Sequence, residues 1–164
     1  MSFRVVPISS AIASEVRKSL RAPQYGHPAH VDTGSDHPPC RLCLRRIRPG
    51  EERRILFTYN SFTISDSYPS PGPIFIHEDE CSPFEHESIF PEDLKKLSLT
   101  LEGYGSGRWL VAREHPDEDE VEKAIDRIFR NPAVRYIHVR STKAGCFIAH
   151  IERIAPGSGT PRRQ

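Results

Sequence analysis

Residues 117–154 read DEDEVEKAIDRIFRNPAVRYIHVRSTKAGCFIAHIERI and predict a helix followed by a β-hairpin. In the first part, apolar residues repeat at the spacing of one helix face: Val121, Ala124, Ile125, Ile128 and Phe129. Asp117 can cap the first turn together with Glu120, and Pro132 prevents the helix from continuing. We therefore expect a helix from Asp117 to about Arg130.

Two pairs of alternating segments predict β-hairpins. Val134–Arg140 and Cys146–Ile154 alternate around a turn that ends in Gly145. Leu99–Tyr104 and Arg108–Arg113 flank the sequence Gly-Ser-Gly, whose length and composition favour a hairpin loop.

The preceding part of the chain predicts shorter elements. Phe3–Ile8 has strand composition, and Ser9 or Ser10 can cap a helix whose apolar residues recur at Ile12, Val16 and Leu20. Two further strands, at Ile55–Tyr59 and Pro73–His77, are able to pair. A helix of about two turns is expected from Pro91 to Leu97.

These elements together predict an α+β fold, with an antiparallel sheet built from hairpins and two main helices on one face. We expect a single domain over residues 1–155, with a long polar loop at 21–39. The polar segment 156–164 is expected to be a disordered tail.

Composition excludes a membrane-spanning protein and leaves the kind of partner open. The 164 residues carry 23 Lys and Arg against 22 Asp and Glu, so no strong overall field selects nucleic acid or membrane as the partner. Apolar runs such as Trp109–Ala112 are far shorter than the ~20 residues that cross a bilayer. The N-terminus has no apolar signal region, so we expect a cytoplasmic protein with reduced cysteines.

The spacing of the cysteines points to a metal site. Cys40 and Cys43 are separated by two residues, which lets one tight turn present both sulfurs to a single ion. His77 and Cys81 follow a predicted strand on another turn. Three thiolates and an imidazole favour zinc, and four protein ligands leave no position for a substrate, which is typical of a structural zinc.

Two other interpretations of these cysteines remain open. Cys43 and Cys81 can pack as small apolar residues, because cysteine is among the most buried residue types. The pair can also be a redox motif, although Pro38 and Pro39 before it and Pro49 after it leave no room for the long helix that such a motif begins.

Six arginines lie between positions 41 and 54 and form a local basic stretch: Arg41, Arg45, Arg46, Arg48, Arg53 and Arg54. Such a stretch either contacts anions or is a solvated face, and Glu51 and Glu52 interrupt it. The candidates for anion binding are Arg41, Arg45, Arg46 and Arg140. The partner would be a protein or a small anionic ligand, with nucleic acid as a weaker alternative.

The last hairpin contains a second group of reactive side chains. His138 lies on one predicted strand, and Cys146 and His150 lie on its partner, so a Cys–His pair is an alternative catalytic site. The competing interpretation is that Cys146 packs in the hairpin and His138 is a hydrogen-bonded strand residue. His27, His30 and His37 fall in the polar loop, where we expect them to be exposed.

Several linked motifs resemble a known family: Pro39–Leu44, Pro49–Glu51, Gly72–His77 with Cys81, His138–Arg140 and Gly145–Phe147. The pattern is similar to the bacterial family called domain of unknown function 1203, over about residues 32–153. This resemblance implies a bacterial, cytoplasmic, single-domain protein and assigns no activity. Family members usually have Asn where this chain has Ser141. The leading hypothesis is a binding or accessory protein with a structural zinc; an enzyme that uses Cys146 and His138 or a metal-bound water is the alternative.

Overall fold

A computed structural model of the chain describes residues 2–63 and 69–155. The α-helices of this part are α1 (Ser10–Ser19), α2 (Glu92–Lys95) and α3 (Val121–Phe129). The strands are β1 (Phe3–Val6), β2 (His30–Asp32), β3 (Arg54–Asn60), β4 (Pro71–His77), β5 (Leu99–Tyr104), β6 (Leu110–Glu114), β7 (Tyr136–Ser141) and β8 (Phe147–Arg153). Short 3-10 turns occupy Ser106–Arg108 and Glu118–Glu120.

Five strands form an antiparallel sheet in the order β1-β8-β7-β5-β6. Its central strands place Val139 opposite Leu101 on one side and opposite Ala149 on the other. These residues belong to one apolar cluster with the buried side chains of α3, such as Ile125 and Phe129. The two predicted hairpins, β5–β6 and β7–β8, are confirmed.

Three strands form a second antiparallel sheet in the order β2-β3-β4. The predicted pairing of β3 with β4 is confirmed, whereas the three-residue strand β2 lies inside the segment 21–39 that was expected to be loop. The buried Ala13 and Val16 of α1 belong to the apolar cluster that contains Ile55 of β3 and Ile76 of β4.

The predicted α+β class with antiparallel strands is confirmed, but the layout differs from one sheet with both helices on one face. The apolar side chains of β3 and β4 form a core of their own with α1, while α3 belongs to the core of the five-stranded sheet. Phe147 of β8 joins the core of the smaller sheet and lies 5.9 Å from Tyr59 between ring centroids. The two sheets therefore meet at β8.

The helix N-termini differ in how they are capped. Ser9 caps α1 as predicted, because its hydroxyl accepts a hydrogen bond from the backbone N–H of Ile12 at 3.1 Å. The predicted side-chain cap at Asp117 is wrong: its carboxylate makes no capping bond, and a 3-10 turn precedes α3. The backbone carbonyl of Asp117 accepts from Glu120 N at 3.0 Å, so this donor is satisfied without the side chain.

None of the helices in residues 2–63 and 69–155 combines the length and apolar character that crossing a membrane requires. The predicted disordered tail, 156–164, lies outside the described residues.

Candidate metal centre

A tight turn between β2 and β3 carries the first two cysteines. The backbone N–H of Leu44 donates to the carbonyl of Cys40 at 2.9 Å, and Cys40 N donates to Arg45 O at 2.9 Å. Leu44 closes the turn in the left-handed conformation, with φ 59°. Its side chain is fully buried in the core of the five-stranded sheet, which holds the residue in this conformation. Cys40 and Cys43 are both buried.

The other two candidate ligands come from the end of β4 and the loop after it. His77 is the last residue of the strand and is 6 % exposed, whereas Cys81 is half-buried. The backbone N–H of His77 donates to the Cys40 sulfur at 3.3 Å. This bond joins the strand end to the cysteine turn.

The four side chains Cys40, Cys43, His77 and Cys81 converge, with all four ligand atoms within 4.8 Å of one another. The Cys40 and Cys81 sulfurs are 3.8 Å apart, and the Cys43 sulfur is 3.5 Å from His77 Nδ1. In a tetrahedral zinc site with bonds of about 2.3 Å to sulfur and about 2.0 Å to nitrogen, the sulfurs are about 3.8 Å apart and sulfur and nitrogen about 3.5 Å. These two separations match those of one tetrahedral ion, and the other donor atoms lie within 4.8 Å of one another.

Charged residues surround these side chains. Nε2 of His77, the ring nitrogen that points away from Cys43, is 2.9 Å from the Glu52 carboxylate. Glu52 is thus within ion-pair distance of the ring, although among the described residues Nε2 has no partner with hydrogen-bond geometry. In metal sites a carboxylate commonly occupies this place beside a bound imidazole. Arg17 of α1 donates from Nη2 to the Cys81 sulfur at 3.4 Å and from Nε to the His77 carbonyl at 3.1 Å.

The sulfurs of the cluster stabilise positive charge on the neighbouring His77 and Arg45 side chains. Hydrogen bonds to Cys40, Cys43 and Cys81 raise the pKa of His77 to about 12. The pKa of the Cys40 thiol is lowered, mainly by its hydrogen bond with Cys43. The pKa of Arg45 is raised, mainly by a hydrogen bond with the Cys43 sulfur. Cationic groups thus lie beside the sulfurs, as is needed where three thiolates outweigh the charge of one divalent ion.

The comparison with known families identifies this chain by its central part. Residues 37–153 match the family described as Protein of unknown function (DUF1203). The chain belongs to the DUF1203 family. This confirms the resemblance inferred from the motifs, and the matched range includes all four residues of the cluster. Neither curated proteins nor solved structures give a match.

In this DUF1203 domain, the alternative catalytic residues Cys146, His138 and His150 lie on or beside strands β7 and β8. The Cys146 sulfur accepts a hydrogen bond from Arg41 Nη2 at 3.2 Å, and no hydrogen bond joins it to His138 within residues 2–63 and 69–155. Burial lowers the pKa of His138 to about 2 and also lowers the pKa of His150. A general base works best with a pKa near the working pH, so this environment does not favour base catalysis by either ring.

The predicted anion-binding arginines lie at different places. Arg41 is buried behind Cys146, and Arg45 lies next to the Cys43 sulfur. Arg46 is half-buried and donates from Nε to the His37 carbonyl at 3.0 Å. Arg140 lies on β7, 3.3 Å from the Glu102 carboxylate. The four residues do not form one site, although Arg41 and Arg46 line the same cavity.

The remaining arginines of the basic stretch are paired with acids. Arg54 lies 2.6 Å from Asp32 and 2.7 Å from Asp36, while Arg53 and Arg48 contact Glu78 and Glu52, respectively. Because Arg41 and Arg54 are also buried, the stretch is not a continuous exposed surface for nucleic-acid phosphates. The three loop histidines, His27, His30 and His37, are exposed as predicted.

Sequence reasoning missed the residues that support the cluster. Arg17 is 64 positions from the Cys81 sulfur that it contacts, and no local pattern connects them. Glu52 appeared only as an interruption of the basic stretch. The burial of Arg41 was also missed, although its position between two candidate ligands ties it to the turn that they form.

Proposed function

We propose that this chain is a cytoplasmic bacterial binding or accessory protein whose fold is stabilised by a structural zinc at Cys40, Cys43, His77 and Cys81. The observation that carries the proposal is the spacing of the donor atoms, 3.8 Å between two sulfurs and 3.5 Å between sulfur and nitrogen. Thiolates and imidazole are soft donors that favour zinc over magnesium or calcium.

A structural role follows from the number of ligands. Four protein donors complete a tetrahedral sphere, whereas catalytic zinc sites keep one position for water or substrate. The ligands also come from two separate segments, the cysteine turn and the end of β4 with its following loop. An ion at this place would connect these segments and contribute directly to the free energy of folding.

The surrounding residues have defined tasks in this proposal. Glu52 orients the His77 ring, and Arg17 anchors both Cys81 and the carbonyl of His77. Arg45 offsets the negative charge of the Cys43 sulfur. The partner of the protein would then bind at a surface outside the closed metal sphere.

The test is the metal content per chain, measured by elemental mass spectrometry on the untagged wild type and on Cys43→Ser. We expect about one zinc per wild-type chain and a large loss in Cys43→Ser. Cys146→Ser is the matched control, because this fourth cysteine lies outside the cluster and should leave the zinc content unchanged.

Thermal unfolding gives a second readout. Structural zinc contributes about 10–16 kcal/mol in small zinc-finger peptides, which is as large as the whole stability of a typical domain. We therefore expect a chelator or Cys43→Ser to lower Tm strongly, while Cys146→Ser does not respond in this way. Wild-type protein that stays metal-free after incubation with zinc, or equal zinc content in Cys43→Ser and wild type, would contradict the proposal.

A further inference from the structure

A cavity of about 710 Å³ is lined by residues of both sheets and by Arg41 of the cysteine turn. Leu56 and Phe75 of the smaller sheet and Ile148 of β8 contribute apolar walls. Cavities of about 300–1,000 Å³ with mainly apolar walls and a few polar groups are typical of small-molecule sites. The cavity therefore has the size and lining of a ligand site.

The charged side chains that line the cavity are mainly cationic. They are Arg41, Arg46, Lys96 and Lys143, against one carboxylate, that of Asp36. Asp36 is already engaged, because it lies 2.7 Å from Arg54. Across residues 2–63 and 69–155, none of the four cations forms an ion pair with a carboxylate. The cavity thus carries positive charge that no carboxylate of the described residues neutralises.

Arg41 is the deepest of these cations, with an exposed fraction of 2 %. Its guanidinium donates to the carbonyls of Phe147 and Pro39 at 2.8 and 2.6 Å and to the Cys146 sulfur at 3.2 Å. These bonds use three of the five N–H groups of an arginine, and the planar fork suits the oxygens of a phosphate or carboxylate. A buried cation without an anionic partner is costly, and burial lowers the pKa of Arg41. An anion in the cavity would supply the missing partner.

We propose that this cavity binds a small organic phosphate monoester, with its phosphate at Arg41 and Lys143 and its apolar part against Leu56 and Phe75. Several unpaired cations favour a doubly charged head group over a single carboxylate, and the apolar walls favour an ester over inorganic phosphate. The proposal goes beyond the zinc site and requires no metal chemistry. The proposal gives Arg41 and Arg45 different roles: Arg41 lines the cavity, whereas Arg45 lies beside the Cys43 sulfur.

The experiment measures the affinity of phenyl phosphate by isothermal titration calorimetry on the wild-type protein. Three comparison probes each lack one feature of phenyl phosphate. Inorganic phosphate lacks the apolar ring, benzoate carries only one negative charge, and benzyl alcohol carries no charge. We expect saturable binding of phenyl phosphate with a Kd at least tenfold lower than for each comparison probe. An equal Kd for benzyl alcohol, or absence of phenyl phosphate binding, overturns the proposal.

Exposed lysines allow a matched set of variants. The double variant Lys96→Gln, Lys143→Gln should raise the Kd of phenyl phosphate at least tenfold, because both residues line the cavity. Lys18→Gln changes another exposed lysine, on α1 and outside the cavity, and should leave the Kd unchanged. Equal Kd values for the double variant and Lys18→Gln contradict the assignment of the site.

Cys146 provides an internal reporter, because its half-buried thiol lines the same cavity. Phenyl phosphate should slow the alkylation of Cys146 by iodoacetamide, followed by peptide mass spectrometry, and benzyl alcohol should not. Zinc content is measured on the same samples. Ligand protection without zinc would refute the proposed metal site alone, whereas zinc without ligand protection would refute the proposed ligand site alone.

Discussion

His138 should make the stability of this fold depend on pH below about 6.5. Its side chain is 1 % exposed and lies in a cluster of aromatic rings. The rings in contact with it are Phe62, Tyr104, Tyr136, Phe147 and His150. Burial, together with the positive charges of His150, Arg140 and Arg108, lowers the pKa of His138 to about 2. The ring is therefore neutral in the folded protein throughout the ordinary pH range.

The magnitude follows from proton linkage. In the unfolded chain His138 has a pKa of about 6.5, so between pH 6.5 and about 2 the unfolded chain binds a proton that the folded chain does not. The contribution of the neutral His138 ring to the free energy of unfolding is therefore fully present above pH 6.5 and decreases as the pH falls toward 2. Relative to neutral pH, this one group lowers the free energy of unfolding by about 1.4 kcal/mol at pH 5.5 and about 2 kcal/mol at pH 5.

The assay is urea unfolding at pH 7.5 and pH 5.5 for wild type and His138→Phe. Other groups that change their protonation in acid contribute to the pH dependence of both proteins, and this shared contribution cancels in the comparison. We expect the free energy of unfolding to fall by about 1.4 kcal/mol less in His138→Phe than in wild type. His30→Phe, at an exposed histidine outside the cluster, is the matched control.

Two results would refute this reasoning. Equal losses of stability between pH 7.5 and 5.5 in wild type and His138→Phe would show that the buried ring is not the titrating group. Titration of the His138 ring near pH 6.5 in the folded protein, observed by NMR, would show that burial does not keep it neutral. If His138→Phe does not fold, His138→Gln removes the same titration and provides the same comparison.

Two substitutions test the packing and the helix cap by urea unfolding. Gly103→Ala should lower the free energy of unfolding by about 1–3 kcal/mol, because the added Cβ would lie 2.7 Å from Ile128 Cγ2. Gly72→Ala in β4 is the control: its Cβ would meet no atom within 4 Å, so it should not destabilise the protein. Equal losses in the two variants would show that the contact between Gly103 and α3 is not crowded. Ser9→Ala should cost about 1 kcal/mol through loss of the cap on α1. Ser10→Ala is its control, and equal losses in the two variants would show that the hydroxyl of Ser9 does not stabilise the helix.

Local elements of this fold were predictable because their signals are short-range. The apolar spacing of α3 and the alternation of β7 and β8 each depend on neighbouring residues. The cluster of three cysteines and one histidine was predictable for a related reason. Cys40 and Cys43 form a recognisable pair, and His77 and Cys81 follow a strand whose end could be located.

The arrangement of the sheets was not predictable from such signals. A hairpin pattern does not specify which other strands it joins, so β3 and β4 could not be separated from the five-stranded sheet in advance. The cap at Asp117 failed because the backbone satisfied the same donor through a 3-10 turn. Arg41 was expected at the surface, because sequence alone does not reveal that its guanidinium is buried and donates to Phe147 O of the five-stranded sheet.

Arg41 explains why a metal in one turn would affect the whole fold. Its backbone N–H donates to Phe75 O of β4 at 3.0 Å, and its carbonyl accepts from Ile8 N, just before α1, at 3.1 Å. Its guanidinium donates to Phe147 O of β8 at 2.8 Å. One residue between Cys40 and Cys43 therefore contacts both sheets and the segment that leads into α1. An ion that fixes this turn fixes Arg41 as well, so its removal should loosen the junction of the sheets and the cationic cavity together.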